Sequence, residues 1–450
     1  MTTPEMGHML AVRKGDDVMS TMKGIMRRAI LSGLVVAAFA AGSARADVAS
    51  DKSGAILIFP KIIVDGSGVF APPTDTELQI TNTSNSVIAA RCFLVDTTPF
   101  CNNDPDTSCT VEGEADPRLY PGGTKRCPAG GLCVPRWQKS PDFRMTLTKR
   151  QPISWGASHG LLSFPLNPQN PPPTPAFGPG GQSNGNSSIA PVPRDPFFGE
   201  LRCVQVDPSS FQPSTGLNPA NNGSGDLIGA ATIVETTPGE SSDSRVDARK
   251  YNAIGIQANA DVGNDGNDTL TLGTNQEYNG CPNALILNHF FDDATVTTHL
   301  GAASASVKTN LTVIPCGADY ELNTLRPITL QFLVYNEFEQ RFSSSTSFSC
   351  WREVQLSDLD TRPGNVNDNN DFSIFNVNVQ GTLSGQTRIR PVAGNGIGNT
   401  VLGIAEEFWT QSSGGTGPGN TSSTAGNLHF VGTRPGLNDT IILSTDEAPN

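Results

Sequence analysis

The sequence predicts an all-β protein made of two tandem antiparallel β-sandwich modules that are related by an internal duplication. Three observations predict this fold class. Short apolar or β-branched motifs recur in the same order in both halves of the chain. Many short segments alternate apolar and polar residues with a period of two, as in Leu78-Gln79-Ile80-Thr81. After Ala46, no long stretch shows the helical period.

The internal repeat is carried by five pairs of motifs that keep their order along the chain. A motif present in both halves is explained as scaffold, so motifs found in one half only are the better candidates for a functional site. The pairs are Ala55-Ile56-Leu57-Ile58 with Ala284-Leu285-Ile286-Leu287, Asp65 with Asp292-Asp293, Phe93-Leu94-Val95 with Phe332-Leu333-Val334, Ile228-Gly229-Ala230-Ala231 with Leu402-Gly403-Ile404-Ala405, and the segment 267–274 with the segment 438–445.

The alternating runs predict a series of strands in each half. In the first half they are Ala55–Val64, Glu77–Thr81, Ile88–Val95, Phe143–Thr148, Glu200–Val206, Leu227–Val234, Asn252–Gln257 and Thr269–Leu272. In the second half they are Ala284–Phe291, Asn310–Ile314, Ile328–Tyr335, Ser347–Leu356, Thr387–Val392, Val401–Phe408, Leu428–Gly432 and Thr440–Leu443. The biased stretches 167–193 and 411–427 predict surface loops. We therefore expect modules over residues 47–279 and 280–450, with the hinge near 275–280.

The N-terminus predicts export. A basic patch of Lys23, Arg27 and Arg28 precedes an apolar run over 29–40, and Ala44-Arg45-Ala46 fits the small-residue cleavage rule. Residues 1–46 are therefore interpreted as presequence and signal peptide, with translation starting at Met22 and cleavage after Ala46. The run is too short to span a bilayer, which takes about 20 apolar residues. We expect a periplasmic or extracellular protein with no membrane span after signal removal.

The charge of the chain argues against nucleic acid as a partner. It carries 30 Lys and Arg against 43 Asp and Glu, a net charge of −13. An acidic surface repels phosphate backbones. The sequence does not identify a partner, and a glycan or a cell-surface protein is a possible one for an exported chain.

All nine cysteines follow the predicted cleavage site, where an oxidising compartment favours disulfides. Four cluster in a polar loop that the second half lacks, which predicts two bridges, with a zinc site as the alternative: Cys101, Cys109, Cys127 and Cys133. Cys92 and Cys203 lie on separate apolar runs and are both absent from the second half, which has Gln331 and about Pro391 there, so we expect them to pair. The remaining set, Cys281, Cys316 and Cys350, leaves one cysteine odd.

Several strings resemble those of uncharacterised secreted proteins of Gram-negative bacteria. The residues that carry the resemblance are Asn82-Thr83-Ser84, the segments 143–155 and 336–341, and Ala405-Glu406-Glu407-Phe408. The resemblance covers most of the mature chain and implies export without naming an activity. A looser likeness, of pattern alone, is to immunoglobulin-like extracellular modules.

Two motifs suggest hydrolase chemistry. Gly156-Ala157-Ser158-His159-Gly160 matches the nucleophile elbow of serine hydrolases, but a Pro-rich tract follows where the elbow needs a helix. Glu337 and Glu339 are two apart on a predicted strand, so both would point to one face about 6–7 Å apart, a separation found in glycoside hydrolysis. A solvated hairpin end is the alternative interpretation of the pair.

Two further segments are candidates for a metal site. His289, Asp292, Asp293 and His299 could surround a metal ion, although a strand end followed by a polar loop explains them equally. The Asn/Asp-rich segments 263–268 and 365–371 could bind calcium weakly, or form side-chain-capped turns. No cofactor is otherwise expected. The sequence therefore favours an exported, non-catalytic envelope or extracellular binding or structural protein, with a secreted hydrolase acting on polysaccharide or ester as the alternative.

Overall fold

The computed structural model describes residues 48–66, 68, 72–109, 127, 130–139, 142–161, 182–183, 187–213, 225–238, 244–259, 261–297, 304–322, 327–360, 372–392, 400–411, 421–433 and 438–444. The chain from Ala46 onward forms one compact unit. The predicted presequence and signal peptide lie outside the described residues, as do His299 and the segment 365–371. Among the described helices, none is long and apolar enough to cross a membrane.

Strands make up most of the described chain, which confirms the all-β prediction. In the first half they are β1 (Val48–Ala49), β2 (Ile56–Val64), β3 (Thr74–Asn82), β4 (Ile88–Asp96), β5 (Phe100–Cys101), β6 (Asp104–Ser108), β7 (Cys133–Val134), β8 (Gln138–Lys139), β9 (Phe143–Leu147), β10 (Pro152–Gly156), β11 (Gln182–Ser183), β12 (Ser187–Ser188), β13 (Phe197–Val206), β14 (Leu227–Pro238), β15 (Ser244–Asn252), β16 (Ile254–Ile256) and β17 (Thr269–Leu272).

The second half has β18 (Pro282–Phe290), β19 (Thr295–Thr297), β20 (Ser304–Pro315), β21 (Ala318–Asp319), β22 (Pro327–Asn336), β23 (Arg341–Ser349), β24 (Arg352–Gln355), β25 (Ser384–Pro391), β26 (Val401–Gln411), β27 (Thr421–Asn427), β28 (His429–Thr433) and β29 (Asp439–Ile442). The described helical residues form a 3-10 turn, Leu356–Asp358, and one short helix, α1 (Val377–Gln380).

Each half contains two main antiparallel sheets. In the first half, a seven-stranded sheet has the order β1-β16-β2-β13-β4-β8, with β9 also paired to β4, and a four-stranded sheet has the order β10-β3-β14-β15. In the second half, one five-stranded sheet has the order β23-β22-β25-β18-β28, and the other has the order β19-β20-β26-β27, with β24 paired to β20. We call the β23-β22-β25-β18-β28 sheet the outer sheet.

The two halves share a strand order. The run β16-β2-β13-β4-β9 of the first half matches β28-β18-β25-β22-β23 of the second, element for element and in the same sequence order. The run β10-β3-β14-β15 matches β24-β20-β26-β27 in the same way. The repeated sequence motifs fall on matching strands: β2 with β18, β4 with β22, and β14 with β26.

The last repeated motif of each half pairs with its own counterpart. Strands β17 and β29 lie antiparallel in a separate three-stranded sheet, in the order β17-β29-β21. Leu270 lies opposite Ile441, the residue at the equivalent position of the second motif, and Thr269 lies opposite Ile442 while Thr271 lies opposite Thr440. The pairing is therefore self-complementary, as at a two-fold interface between identical surfaces.

The two halves bury their sheets differently. Every residue of β2, β4 and β13 is buried, so the seven-stranded sheet is covered on both faces there. Strand β22 instead alternates between exposed and buried residues, because the outer sheet packs on the core with one face only. One cluster of buried apolar side chains crosses between the halves, where the ring of Tyr320 stacks on the rings of Phe93 and Trp137.

Four cysteine pairs lie at disulfide distance. Cys92 and Cys203 bridge β4 to β13, where they are direct cross-strand partners. In the second half the matching pair of positions is Gln331 opposite Arg390, one residue before the expected Pro391. The remaining pairs are Cys101–Cys127, Cys109–Cys133 and Cys281–Cys316, and the buried Cys350 belongs to none of the four pairs.

Three of the sequence predictions about elements are wrong, and the first is the predicted loop 167–193, which contains the two-residue strands β11 and β12. The Gly/Ser/Thr-rich stretch predicted as a loop contains β27, and the predicted strand Ser347–Leu356 is interrupted at Cys350, which adopts a φ of 68°. Strand β27 lies at a sheet edge and alternates between exposed and partly buried residues, so it needs no apolar pattern. Backbone pairing with β26 and contacts to β15, including two hydrogen bonds between Asn252 and Asn427, hold it in place.

Candidate functional site

A groove lies at the end of the outer sheet where β18 and β22 end and β25 begins. Its volume is about 560 Å³, and an adjoining hollow of about 220 Å³ shares Asn288 and Glu407 with it. The groove is lined by Asn288, His289, Phe290, Tyr335, Asn336, Glu337, Glu339, Ser384, Gly385, Gln386 and Glu407. The lining combines carboxylates, amides and aromatic rings, and it includes no lysine or arginine among the described residues.

The hairpin between β22 and β23 supplies two of the carboxylates. The side-chain oxygen of Asn336 accepts hydrogen bonds from the backbone N–H groups of Phe338 and Gln340, both at 3.0 Å, and so closes the turn. Glu337 and Glu339 lie in this turn, and Glu339 has a φ of 61°. The expectation that they share one face of a strand is therefore wrong, because the Asx side chain ends the strand at Asn336.

Glu337 is held as an ionised carboxylate. Its Oε1 accepts hydrogen bonds from the backbone N–H of Ser384 at 2.9 Å and from the Ser384 hydroxyl at 2.7 Å. These hydrogen bonds lower the pKa of Glu337. A carboxylate in this state can accept hydrogen bonds from a ligand but does not donate a proton at neutral pH.

Glu407 of β26 lines the same groove, and its pKa is shifted in the opposite direction. Burial raises the pKa of its carboxyl group, although the backbone N–H of Phe290 and the indole N–H of Trp409 hydrogen-bond to it and act in the other direction. The Phe290 and Trp409 rings pack edge to face, with centroids 5.3 Å apart. Phe290 and Ser384 are direct cross-strand partners, so Glu407 and Glu337 are anchored on neighbouring backbone positions.

His289 belongs to the core. Its ring is fully paired: Nδ1 donates to the backbone oxygen of Phe290 at 2.9 Å, and Nε2 accepts from the Thr387 hydroxyl at 2.8 Å. Burial lowers the pKa of His289 to about 4, so the ring is neutral at physiological pH. With both nitrogens occupied, His289 is available neither as a metal ligand nor as a base.

The two aspartates that follow are also structural. Asp292 is buried and accepts hydrogen bonds from the backbone N–H groups of Thr309 and Ser357 and from the side chain of Gln355. Burial raises the pKa of Asp292 to about 6, although the hydrogen bonds from these donors act to lower it. Asp293 accepts from the Asn376 amide at 2.9 Å. Within the described residues, His289, Asp292 and Asp293 therefore form no metal site.

Ser158 does not sit in a nucleophile elbow. Its hydroxyl donates to Asp75 at 2.5 Å and contacts Nδ1 of the adjacent His159, while Asp75 also accepts from the Ser158 N–H. In a catalytic triad the histidine stands between the serine and the acid. Here the carboxylate binds the serine directly, and His159 Nδ1 is 4.0 Å from Asp75. The motif is a side-chain-capped turn that follows β10.

The calcium candidate at 263–268 is a run of Asx turns. Asn264, Asp265 and Asn267 each accept a hydrogen bond from the backbone N–H two residues ahead, at 2.7, 3.0 and 2.7 Å. These acceptors initiate β17. The zinc alternative concerns the four-cysteine loop, where the sulfur atoms of Cys101, Cys109 and Cys127 lie within 4.8 Å of one another. They are engaged in two neighbouring bridges in the structure.

A buried ionic cluster joins the two halves, and the sequence reasoning missed it. Lys61 of β2 contacts Glu353 and Glu406 of the second half, and Arg249 of β15 donates to Glu406 at 2.5 Å. All four side chains are buried. A lysine inside the apolar run Phe59-Pro60-Lys61-Ile62 is the signal that could have revealed it, because a buried lysine needs a partner.

The comparisons with known proteins add no family. Neither the scan against protein-family models nor the search of curated proteins finds a match for this chain.

Proposed function

We propose that this chain is an exported, non-catalytic binding protein of two internally duplicated, immunoglobulin-like β-sandwich modules, and that the groove at the end of the outer sheet holds its ligand. The groove is the observation that carries the proposal. It is concave, it combines rings with polar groups, and part of its wall, around His289 and Glu337, comes from segments without a matching motif in the first half. Such a groove at the end of a sheet fits a binding role.

The shared strand order supports the duplication. Nine strands of one half have counterparts of the same sequence order and the same pairing in the other, and the repeated motifs fall on matching strands. The proposed modules cover residues 47–279 and 280–450. The signal-like N-terminus and four cysteine pairs at disulfide distance support a periplasmic or extracellular location.

A neutral glycan is the ligand class that fits the groove best. Sugar hydroxyls both donate and accept hydrogen bonds, which matches carboxylates that only accept and amides that do both. Asn288 and Gln386 lie side by side on adjacent strands and present amides, while Tyr335 presents a ring beside Gln386. A protein ligand on the same surface is the other partner that the sequence favours.

A glycan array followed by thermal-shift titration tests the proposal. The variants Tyr335→Ala and Gln386→Ala are expected to weaken binding of an array hit by roughly tenfold, a loss of about 1.4 kcal/mol. Gln411→Ala is the matched control, since this exposed residue of β26 lies outside both the groove and the outer sheet. Absence of any array hit, or equal losses in the control, would contradict glycan binding in the groove.

One observation favours a hydrolase as the second candidate. Glu407 has a raised pKa and Glu337 a lowered one, and both line the same groove. Two carboxyl groups whose pKa values are driven apart are the pattern of an acid and its partner in glycoside hydrolysis. Under this alternative Glu407 donates the proton and Glu337 stays ionised, so Glu407→Gln abolishes turnover of a polysaccharide while folding is kept. A glycan and ester panel without turnover would exclude it.

A further inference from the structure

The outer sheet has an unusual charge composition for an acidic protein. The segments of β18, β22, β23, β25 and β28 contain no aspartate, glutamate or lysine, whereas the whole chain has 43 acidic residues. They do contain three arginines: Arg341, Arg388 and Arg390. The sheet is therefore a basic surface on a molecule with a net charge of −13.

Two of these arginines lie on the solvent-facing side of the central strand β25. Thr387 and Ile389 are buried, so the alternating positions Arg388 and Arg390 face outward, about 7 Å apart along the strand. Arg388 lies opposite Leu333, and Arg390 lies opposite Gln331. Both side chains are half-buried, and the Nε atom of each guanidinium group is buried.

The guanidinium groups of this surface are not neutralised by the protein. Within the described part of the chain, Arg388 and Arg390 have no ion pair, and their Nε atoms have no hydrogen-bond partner. Four buried arginines of the interior, in contrast, each form an ion pair with a carboxylate: Arg91, Arg136, Arg202 and Arg249. Glu337 and Glu339, in the hairpin between the neighbouring strand β22 and β23, lie beyond the end of β22 and line the groove.

The rest of the surface consists of hydroxyl and amide groups. Strand β23 presents Ser343, Ser345 and Ser347 on its exposed positions, and Thr329 shares a hydrogen bond of 2.7 Å with Ser347 across the strands. Gln331 is exposed between them and Arg390. The hydroxyl and amide groups of this surface can donate hydrogen bonds to a hydroxyl-rich ligand and accept them from it. The two planar guanidinium groups can each bind a carboxylate.

We propose that this outer face, centred on Arg388 and Arg390, binds an acidic polysaccharide through the carboxylate groups of its uronate sugars. Charge complementarity selects a polyanion, since guanidinium groups bind carboxylates bidentately. The surroundings select a glycan over a polynucleotide, because single-stranded nucleic acid needs aromatic rings for base stacking. Tyr335 and Phe290, both at the groove end, are the aromatic rings at outward positions of these five strands, and neither lies directly opposite Arg388 or Arg390. The inference goes beyond the groove and does not depend on it.

Binding of the oxidised full-length protein to polygalacturonate tests the proposal, with neutral dextran and oligothymidylate as comparison polymers. We expect binding to polygalacturonate that weakens with added salt, and none to dextran on this face. The variant R388Q/R390Q is expected to weaken polygalacturonate binding by roughly 10- to 100-fold. The variant R388K/R390K keeps both charges and should retain part of the affinity, because an ammonium group cannot bind bidentately.

The matched control is K149Q/R150Q, which removes two exposed positive charges from the turn between β9 and β10 in the other half. It should leave polygalacturonate affinity within roughly twofold, because distant surface charges are screened. Thermal unfolding checks that each variant is folded. The proposal is overturned if R388Q/R390Q binds polygalacturonate like the wild type, or if K149Q/R150Q loses as much affinity as R388Q/R390Q. It is also overturned if the wild type binds oligothymidylate as tightly as polygalacturonate, or if the wild type does not bind polygalacturonate. Neutral-glycan binding by groove variants is a separate readout, so either site can fail alone.

Discussion

Lys61 of the first half donates a hydrogen bond to Glu406 of the second half, and both side chains are buried. Glu406 also accepts from Arg249, and Lys61 also contacts Glu353. Four charged groups are thereby removed from water at one point between the halves. Each is compensated by the others, so the cluster fixes how the halves dock more than it adds stability.

Removing one partner of this cluster should destabilise the whole fold. Lys61→Met keeps the length of the side chain but leaves Glu353 and Glu406 short of a cation. We expect a loss of about 3–5 kcal/mol in the free energy of unfolding, measured by urea denaturation. Glu339→Ala, an exposed turn residue, is the control and should cost under about 0.5 kcal/mol. A loss below about 1 kcal/mol for Lys61→Met would mean that water solvates the site.

The same cluster makes stability sensitive to acid. Burial alone raises the pKa of Glu406, but Lys61 and Arg249 lower it to about 2, below its ordinary value of 4.5. Between these values the unfolded chain binds more protons than the folded one, so stability is complete above pH 4.5 and falls as pH approaches 2. Glu406→Gln should flatten this part of the curve of unfolding free energy against pH. An unchanged slope would contradict the assignment.

His289 should contribute a second pH dependence at higher pH. Burial lowers its pKa to about 4 from 6.5, so its stabilising contribution is complete above pH 6.5 and is lost as pH falls towards 4. Asp292, whose pKa is raised to about 6, acts in the opposite direction over nearly the same range. His289→Gln is therefore expected to make stability fall with rising pH between about 4 and 6, measured by thermal unfolding in buffers across that range.

The cross-strand bridge of the first half should matter for global stability. Cys92 and Cys203 are 111 residues apart in sequence, so their bond restricts a long loop of the unfolded chain. Replacing both with alanine should cost about 2–5 kcal/mol in unfolding free energy. The double variant C101A/C127A is the useful comparison, because that bridge closes a loop of 26 residues at the periphery and should cost less. Equal costs would contradict the loop-length argument.

The Asn336 side chain should support both the hairpin and the groove. Besides capping two N–H groups, its amide donates to the side chain of Gln340 at 3.0 Å and to the backbone oxygen of Gln380 at 3.3 Å. Asn336→Ala should cost about 1–3 kcal/mol in unfolding free energy and weaken any groove ligand. Asn336→Asp keeps the two caps and loses the donors, so its loss should be intermediate. Full binding by Asn336→Ala would show that the hairpin does not shape the ligand site.

The elements that follow an apolar pattern could be predicted from the sequence. Strands β2, β4, β18 and β22 were expected to within a residue or two because burial of their side chains requires apolar residues there. Strand β27 could not be predicted, because an edge strand is held by backbone pairing and does not require an apolar pattern in its sequence. The pairing of Cys92 with Cys203 was expected from their joint absence in the second half.

The candidate site was predicted in part. The one-copy segments around Glu337 and His289 do meet in the groove, but the roles differ from those expected: Glu337 lies in a turn, and His289 is a paired core residue. Glu406 and Glu407 are adjacent on β26, and adjacent strand residues face opposite sides. The Glu406 carboxyl group lies in the buried ionic cluster, whereas the Glu407 carboxyl group lines the groove. Only the docking of β18 against β26 brings Glu407 and Glu337 together.

The pairing of β17 with β29 has a consequence for synthesis. Residues 269–272 leave the ribosome long before residues 439–442, yet the only described neighbour of β17 in its sheet is β29. Until residues 439–442 have been made, β17 lacks its described partner strand, and an unpaired strand edge is open to association with other chains. We therefore expect the closing of this small sheet to be a late step in folding, after both halves have been synthesised.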